Sequence, residues 1–389
     1  MMSKTLKSLL VAVFSILMVF FYNASQAQPD EPKETKKMDP AKIIMEHVSD
    51  GHEYHFFTLG DHPVTIPLPV IVYTEAKGIT AFMSSAFEHG ETTYEGLILL
   101  EDRFIEEHKL NEVKDAKGQP LFQAGKIYAV GADGLPIADI KVYDFSITRN
   151  VVQIFISVLL LLWIMLSVAK KYKNGQGVKT APSGLQNAVE PVITFVRDEV
   201  GKPNLGHKYE KYMPYLLTVF FFILINNLVG LIPGTANVSG NIAFTAMLGV
   251  ISFIYILFST NGHYWGHIFN PPVPMGVKPI MIPVEILGIF TKPFALIIRL
   301  FANMISGHII ILSFIILIFI FGAMNAALGW GTSPFFVLLA VFIYLIEVLV
   351  AFIQAFIFAN LTAVFIGQAF EGGHDDGHGH HTPEDVVIV

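Results

Sequence analysis

The sequence predicts an all-α polytopic membrane protein. Transmembrane helices come with an amphipathic surface helix, two long tilted helices packed as a hairpin, and a small strand-rich extramembrane N-terminal domain. Three observations predict it. Of 389 residues, 53% are hydrophobic and only 15% charged, where about a quarter charged is ordinary for a soluble domain. The charges are segregated: from Tyr212 to Phe370 the only acidic or basic residues are Lys278, Glu285, Lys292, Arg299 and Glu347. Residues 29–144 have the opposite character, polar, mixed in charge and punctuated by Gly and Pro. A net charge of −7 offers no basic surface, so nucleic acid is excluded as a partner. With no cysteine, disulfides, thiolate zinc sites and iron–sulfur clusters are excluded too. The 33 Phe and the long Ile, Leu and Val runs exclude disorder for most of the chain.

Residues 1–27 read as a signal peptide. Lys4 and Lys7 form a basic start, the apolar run from Leu9 to Tyr22 falls short of the ~20 residues of a span, and Ser25-Gln26-Ala27 offers small residues for cleavage. An uncleaved anchor helix is the alternative. Residues 28–145 then form a periplasmic N-terminal extension, starting with a charged linker over 29–37. His55 to Leu59 and Val64 to Tyr73 have strand-like content, with Pro67 and Pro69 breaking any long central strand. Residues 126–130 and 137–145 flank Gly131-Ala132-Asp133-Gly134, which signals a hairpin. His47, His52, His55, His62 and His89 fit no tight ligand spacing and read as solvated surface residues rather than a metal site.

The membrane domain covers 146–370. Residues 151–169 are apolar apart from Gln153 and two serines, and at about 1.5 Å per residue they cross a bilayer. Arg149 and Asn150 mark the outer edge. Lys170, Lys171 and Lys173 follow the other end and put it in the cytoplasm. Residues 183–200 are too polar to span, but Leu185, Val189, Val192, Ile193 and Val196 recur at helical spacing, giving an amphipathic helix on the inner surface that Gly201-Lys202-Pro203 ends. Residues 215–232 and 242–259 are the next two spans, joined by a short outward loop, and 261–278 is an inner loop. Residues 279–321 and 334–370 are too long for ordinary spans; as straight helices they reach ~65 Å and ~55 Å, against a ~30 Å hydrocarbon core. Two short spans fit the first only with a turn near Lys292 to Arg299, where no Gly-rich turn signal exists. Two tilted antiparallel helices, shaped to fit another protein, are the better reading. Residues 371–389 are a His-rich cytoplasmic tail; His374, His378, His380 and His381 read as a flexible solvated segment rather than a metal site.

A charge inside a bilayer is by default functional. Lys278, Glu285, Lys292 and Arg299 are seven apart, and seven residues fall about 20° short of two helical turns, so the four lie on one drifting stripe. Glu285 sits between two lysines that can compensate it. Arg299 has no acidic neighbour within a turn, and a guanidinium stays charged; it needs water or a carboxylate from elsewhere, unless Glu347 bridges to it. Asn303 shares the Arg299 face, whereas His308, nine residues on, points the opposite way. Glu347 and Gln354 share a face of the last helix. A His and a buried carboxylate on one side and a fixed cation on the other are the parts of a proton path.

The string Lys292-Pro293-Phe294-Ala295-Leu296-Ile297-Ile298-Arg299-Leu300-Phe301-Ala302-Asn303-Met304-Ile305-Ser306-Gly307-His308 resembles the signature of subunit a of F-type ATP synthases. Glu347, Gln354 to Phe358, Leu361-Thr362, Asn226, Asn227 and Leu231-Ile232-Pro233 agree, as does the stretch 186–201. The resemblance covers about 151–370. It implies that Arg299 faces a rotating ring of c subunits and meets its essential carboxylate, with Gln354 close by to position it. It implies that His308 and Glu347 line the outer half-channel, with Asn227 on the way in, and that Glu285 and Lys292 belong to the cytoplasmic half-channel. Some members exchange the acid and the imidazole between the His308 and Glu347 positions, and some carry an acid where this chain has Gly230. The expected partners are the c-ring, the stator subunit b, the remaining F0F1 subunits and the lipid bilayer of a bacterial inner membrane; no cofactor and no nucleotide site are expected. The N-terminal extension and the tail lie outside the resemblance. The competing readings are a proton-coupled secondary transporter, for which no repeated half is present, a His-rich metal transporter, and a purely structural membrane protein.

Overall fold

A computed structural model describes residues 40–371, except 60–61, 89, 91, 115–117, 132, 178, 233, 261 and 271–273. The signal peptide, the linker and the tail beyond Glu371 lie outside the described residues. After α1 (Pro40–Val48), the N-terminal region builds three small sheets. β1 (Glu53–Leu59) pairs antiparallel with β2 (His62–Pro67). β3 (Pro69–Thr74) lies between β4 (Gly78–Met83) and the later strand β8 (Val142–Asp144). Leu68, between the two prolines, separates β2 from β3. Gly78 closes the β3–β4 turn at φ +76° with open space around it, a conformation that favours glycine. β5 (Leu97–Leu99) precedes α2 (Asp102–Glu107) and pairs with β6 (Ile127–Val130), which pairs with β7 (Pro136–Ile137). The expected turn therefore joins β6 to β7, while residues 142–144 cross to the other sheet.

Period-two alternation builds the core of this region. On β3, Val70, Val72 and Thr74 are buried. On β5, Leu97 and Leu99 join Val70, Val72 and Phe87, whereas Ile98 and Leu100 enter a second cluster with Ile105, Leu110 and Phe122. The strand is buried on both faces, which is why three apolar residues run together in its sequence.

Among the described residues, four helical stretches are long and apolar enough to cross a membrane: Arg149–Lys173, Leu185–Gly230, Lys278–Met324 and Ala326–Gln368. α3 (Arg149–Lys173) ends on Lys170, Lys171 and Lys173, cations at the negative end of the helix dipole. Its buried face is Asn150, Gln153, Ser157, Leu161 and Val168, one stripe at helical spacing. α4 (Leu185–Phe195) continues through a π-turn (Val196–Gly201) into α5 (Lys202–Leu205). The stop expected at Gly201-Lys202-Pro203 is not a stop. Gly201 is helical, and Pro203 lies in the first turn of α5. The stripe Leu185, Val189, Val192, Ile193 and Val196 packs on the core of the bundle.

α6 (Tyr209–Gly230) starts before and ends short of the expected span, because Leu231 and Ile232 belong to the following turn. α7 (Ile242–Phe258) is capped by Asn241, whose side chain accepts from the Ala243 amide. A short α8 (Gly262–Phe269) occupies the expected inner loop. α9 (Lys278–Met324) and α10 (Ala326–Glu371) are 47 and 46 residues long, separated by Asn325 alone. α10 begins at Ala326 rather than at residue 334. Gly329 and Gly331 suggest a loop in the sequence, but Gly329 lies against Gly322 of α9, and a Cβ there would come within 2.6 Å of the Gly322 Cα. Glycine here permits close helix contact. On α10, Ala351, Ala355, Ala359 and Ala363 are fully buried at four-residue spacing, and a Cβ on Gly367 would run into the Asn204 carbonyl. This small-residue ridge lets α5 and α6 approach the α10 backbone.

Candidate functional site

The charged stripe of α9 is treated unevenly. Lys278 Nζ donates to Asn270 Oδ1 at 2.6 Å. Lys292 Nζ donates to Gln368 Oε1 of α10 at 2.9 Å and lies 5.1 Å from the centre of the Phe365 ring. Neither lysine pairs with Glu285, so the expected compensation does not form: each ammonium reaches sideways to an amide on another element. Among the described residues, Glu285 and Arg299 make no hydrogen bond and no ion pair. Arg299 is half-buried, bordered by buried Leu296 and Leu300 on one side and by the exposed Phe294, Ile298 and Ala302 on the other. The Arg299–Glu347 bridge is therefore absent. Gln354 is buried, and Asn303 is half-buried beside Met304; neither side chain bonds to Arg299.

Glu347 is engaged by His308 instead. His308 Nδ1 lies 3.0 Å from Glu347 Oε1, and Nε2 lies 3.1 Å from the Gly230 carbonyl at the end of α6. One ring thus ties α6, α9 and α10 together. A neutral ring carries a single N–H, so both contacts are hydrogen bonds only when one more proton is present, on the ring or on the Glu347 carboxyl. Glu347 is 4% exposed, and its Oε2 is buried without a partner among the described residues. Gly307 makes the pair possible, because a Cβ there would sit 2.5 Å from Glu347 Oε1.

Around this pair the polar residues come from α6 and the turn after it. Asn227 is fully buried; its Nδ2 donates to the Ala351 carbonyl at 3.3 Å, one turn along α10 from Glu347, and its Oδ1 has no partner among the described residues. Asn237 Nδ2 donates to the Met304 carbonyl of α9 at 3.3 Å, while its Oδ1 accepts from the Gly240 amide. Further in, Asn204 Nδ2 donates to Asn360 Oδ1 at 2.8 Å. The structure thus brings His308, Glu347 and Asn227 to one region and leaves Arg299 and Glu285 without bonds among the described residues. Sequence reasoning missed Gln368, Asn237 and the Gly230 carbonyl. The first two carried a weak signal as polar residues in apolar runs; a backbone carbonyl carries none.

Outside the membrane helices, His52 corrects the reading of solvated histidines. It is 6% exposed, and its Nε2 lies 2.7 Å from Asp144 Oδ2. Burial pushes the Asp144 carboxyl up, but the bonds from His52 and from the Ser146 hydroxyl and amide outweigh it and hold Asp144 below the usual carboxylate range. His89 lies outside the described residues.

Residues 151–367 match the family described as ATP synthase A chain, and residues 43–145 match one described as a domain of unknown function, DUF8433. The ATP synthase subunit a of Chloroherpeton thalassium is 45% identical over 253 residues, covering 63% of this chain and 74% of its own. That of Chlorobium phaeobacteroides is 46% identical over 250 residues, 62% of this chain and 72% of its own. The ATP synthase subunit a of Myxococcus xanthus is 41% identical over 249 residues, 62% of this chain and 78% of its own. On the strength of a match that runs through the three helices meeting at His308, this chain belongs to the ATP synthase A chain family.

Proposed function

We propose that the chain is the a subunit of the F0 sector of a rotary ATP synthase, forming two proton half-channels against a ring of c subunits and coupling proton passage to ring rotation. One observation carries the reading: in a chain of this family, Arg299 is a permanent cation without hydrogen bond or ion pair among the described residues, while the opposite face of the same helix holds the His308–Glu347 pair. A charge left unpaired at membrane depth costs several kcal/mol, so its partner comes from outside the chain. A ring carboxylate arriving beside Arg299 is favoured as the anion by the neighbouring cation and releases its proton. The same cation repels protons that would leak directly between the half-channels.

His308 and Glu347 act as the outer relay, with Asn227 lining the way to them. Glu285 and Lys292 belong to the cytoplasmic half-channel, and Gln354 and Asn303 position Arg299. α9 and α10, at 47 and 46 residues more than twice the ~20 needed to cross, form a tilted hairpin against the ring. Stator subunit b and the other F0F1 subunits complete the assembly. α4 and α5 lie on the inner surface. The lysine cluster Lys170, Lys171 and Lys173 supports a cytoplasmic position for the C-terminal end of α3. That leaves residues 28–145 periplasmic after removal of 1–27, 146–370 in the inner membrane and 371–389 cytoplasmic.

The test is ATP-driven acidification of inverted membrane vesicles, followed with a pH-sensitive dye, for wild type and Arg299→Ala. The expected result is pumping by wild type and none by the variant, with the complex intact. Pumping retained by the variant overturns the reading and brings a proton-coupled secondary transporter forward.

A further inference from the structure

The N-terminal region is fastened to the outer end of α3. The Arg149 guanidinium donates to the Ser49 carbonyl, the Arg149 amide donates to the Gly51 carbonyl at 2.9 Å, and the Asn150 amide donates to Asp50 Oδ1 at 3.1 Å. Just inside these contacts the Tyr54 hydroxyl donates to Gln153 Oε1 at 3.1 Å and is met by the Ala236 amide. Tyr54 is 6% exposed and Gln153 1%, so this is a buried polar contact between a strand of the extramembrane region, the first membrane helix and the loop after α6.

Hydrogen-bonding capacity is left over from that contact inward. Gln153 Nε2 and, one turn further along the same face of α3, Ser157 Oγ are buried without partners among the described residues. The turn Val238–Gly240 packs on α3, α6 and α9 together, and within it Ser239 Oγ is buried and unpartnered. The oxygens Asn226 Oδ1 and Asn227 Oδ1 on α6 and Glu347 Oε2 on α10 are in the same condition. Folded proteins leave few buried polar atoms unbonded, and membrane-depth surroundings make them rarer. When several converge, ordered water with two to four polar neighbours is their usual partner. Most of the orphaned atoms of the membrane helices lie on α3, on α6 and at Glu347, whereas the closely packed alanine ridge of α10 carries one, Thr362 Oγ1.

We propose that the N-terminal region forms the outer mouth of the proton route, and that a file of water passing Tyr54, Gln153, Ser157 and Ser239 delivers protons to the His308–Glu347 pair. The proposal rests on the proton-translocating reading above and adds to it the first membrane helix and the DUF8433 match. Tyr54 is a positioning residue. Its hydroxyl holds the amide of Gln153 so that Nε2 faces inward.

The chain contains no cysteine, which allows a direct test in the intact complex with its other subunits freed of cysteine. Ser157→Cys and, separately, Ser239→Cys are treated from the outer side with a small water-borne methanethiosulfonate reagent, and passive proton conduction through F0 is read before and after. The expected result is labelling at both positions and at least a three-fold loss of conduction on labelling. An unreactive thiol at both positions, or labelling without loss of conduction, overturns the proposal. Tyr54→Phe and Gln153→Leu keep the packing and are expected to lower conduction two- to five-fold with normal assembly; conduction unchanged in both overturns Tyr54's role. The two readings fail separately. Pumping by Arg299→Ala sinks the functional reading, whereas its loss together with dry thiols at 157 and 239 sinks only the water file.

Discussion

Arg299 and His308 stand nine residues apart on α9, about 900° of helix, and so face opposite ways. The fold treats them oppositely. His308 is bonded at both ring nitrogens, to the Glu347 carboxylate and to the Gly230 carbonyl, and so gathers three helices. Arg299, the stronger donor, has no hydrogen bond within the described chain. A group bonded on every side serves the position it is held in. A permanent charge left unbonded serves something that comes to it. The same helix therefore carries one site bonded within the chain and one charge without a partner among the described residues.

The largest effect should come from the unbonded side. Arg299→Gln is expected to abolish coupled pumping without destabilising the isolated chain, because no intrachain bond is lost and an unpaired charge is removed; a fall of several kcal/mol in detergent melting would mean that Arg299 has a structural partner after all. On the bonded side, Glu347→Gln keeps an acceptor for His308 but removes the titrating carboxyl. F0 conduction should drop on the order of 10²-fold, as for loss of a general acid–base group, and an unchanged rate would reduce the pair to a structural tie. Gly307→Ala strikes the geometry rather than the chemistry. The added Cβ, 2.5 Å from Glu347 Oε1, should push the helices apart at a cost of about 1–3 kcal/mol, read as a lower melting temperature with slower conduction; a variant as stable as wild type would show that the carboxylate can retreat freely.

The smallest effect lies outside the membrane. The Asp144 carboxyl is held below its ordinary value by His52 and Ser146, so its contribution to stability is present above the unfolded Asp value of about 3.9 and is lost as pH falls through the lowered folded value. Asp144→Asn should therefore lower the melting temperature at pH 7, with the difference narrowing as pH falls below about 3.9. A difference that persists at low pH would assign the stabilisation to packing instead.

The membrane architecture was legible because bilayer thickness converts apolar length into spans, and the four long stretches show it directly. The ends were less legible. Pro203 looks like a stop but opens α5, and Gly329 looks like a loop but is a point of close helix contact. Both residues have two meanings, and only their neighbours decide between them. In the site, seven-residue spacing identified the stripe from Lys278 to Arg299, and the half-turn offset of His308 was correctly anticipated. The lysine partners were not, since Asn270 and Gln368 come from other elements, and short-range spacing says nothing about distant chain. His52 was misread because a lone histidine in a polar region carries no mark of the aspartate 92 residues away that buries it.

The ridge on α10 has a mechanical consequence. From Ala351 to Gly367 the helix is clamped, with its small residues fully buried and Asn360 tied to Asn204. Before Glu347, only Gly329 of α10 is buried, and after Met304, only Ile316 of α9. α10 is fixed over its second half and overhangs over its first, and α9 is held around Leu296, Leu300 and Met304. A sideways load on the Arg299 face falls within the clamped half and passes through α5 and α6 with little bending, whereas the free ends deflect. The closely packed stretch of the two helices thus lies beside the charge of Arg299.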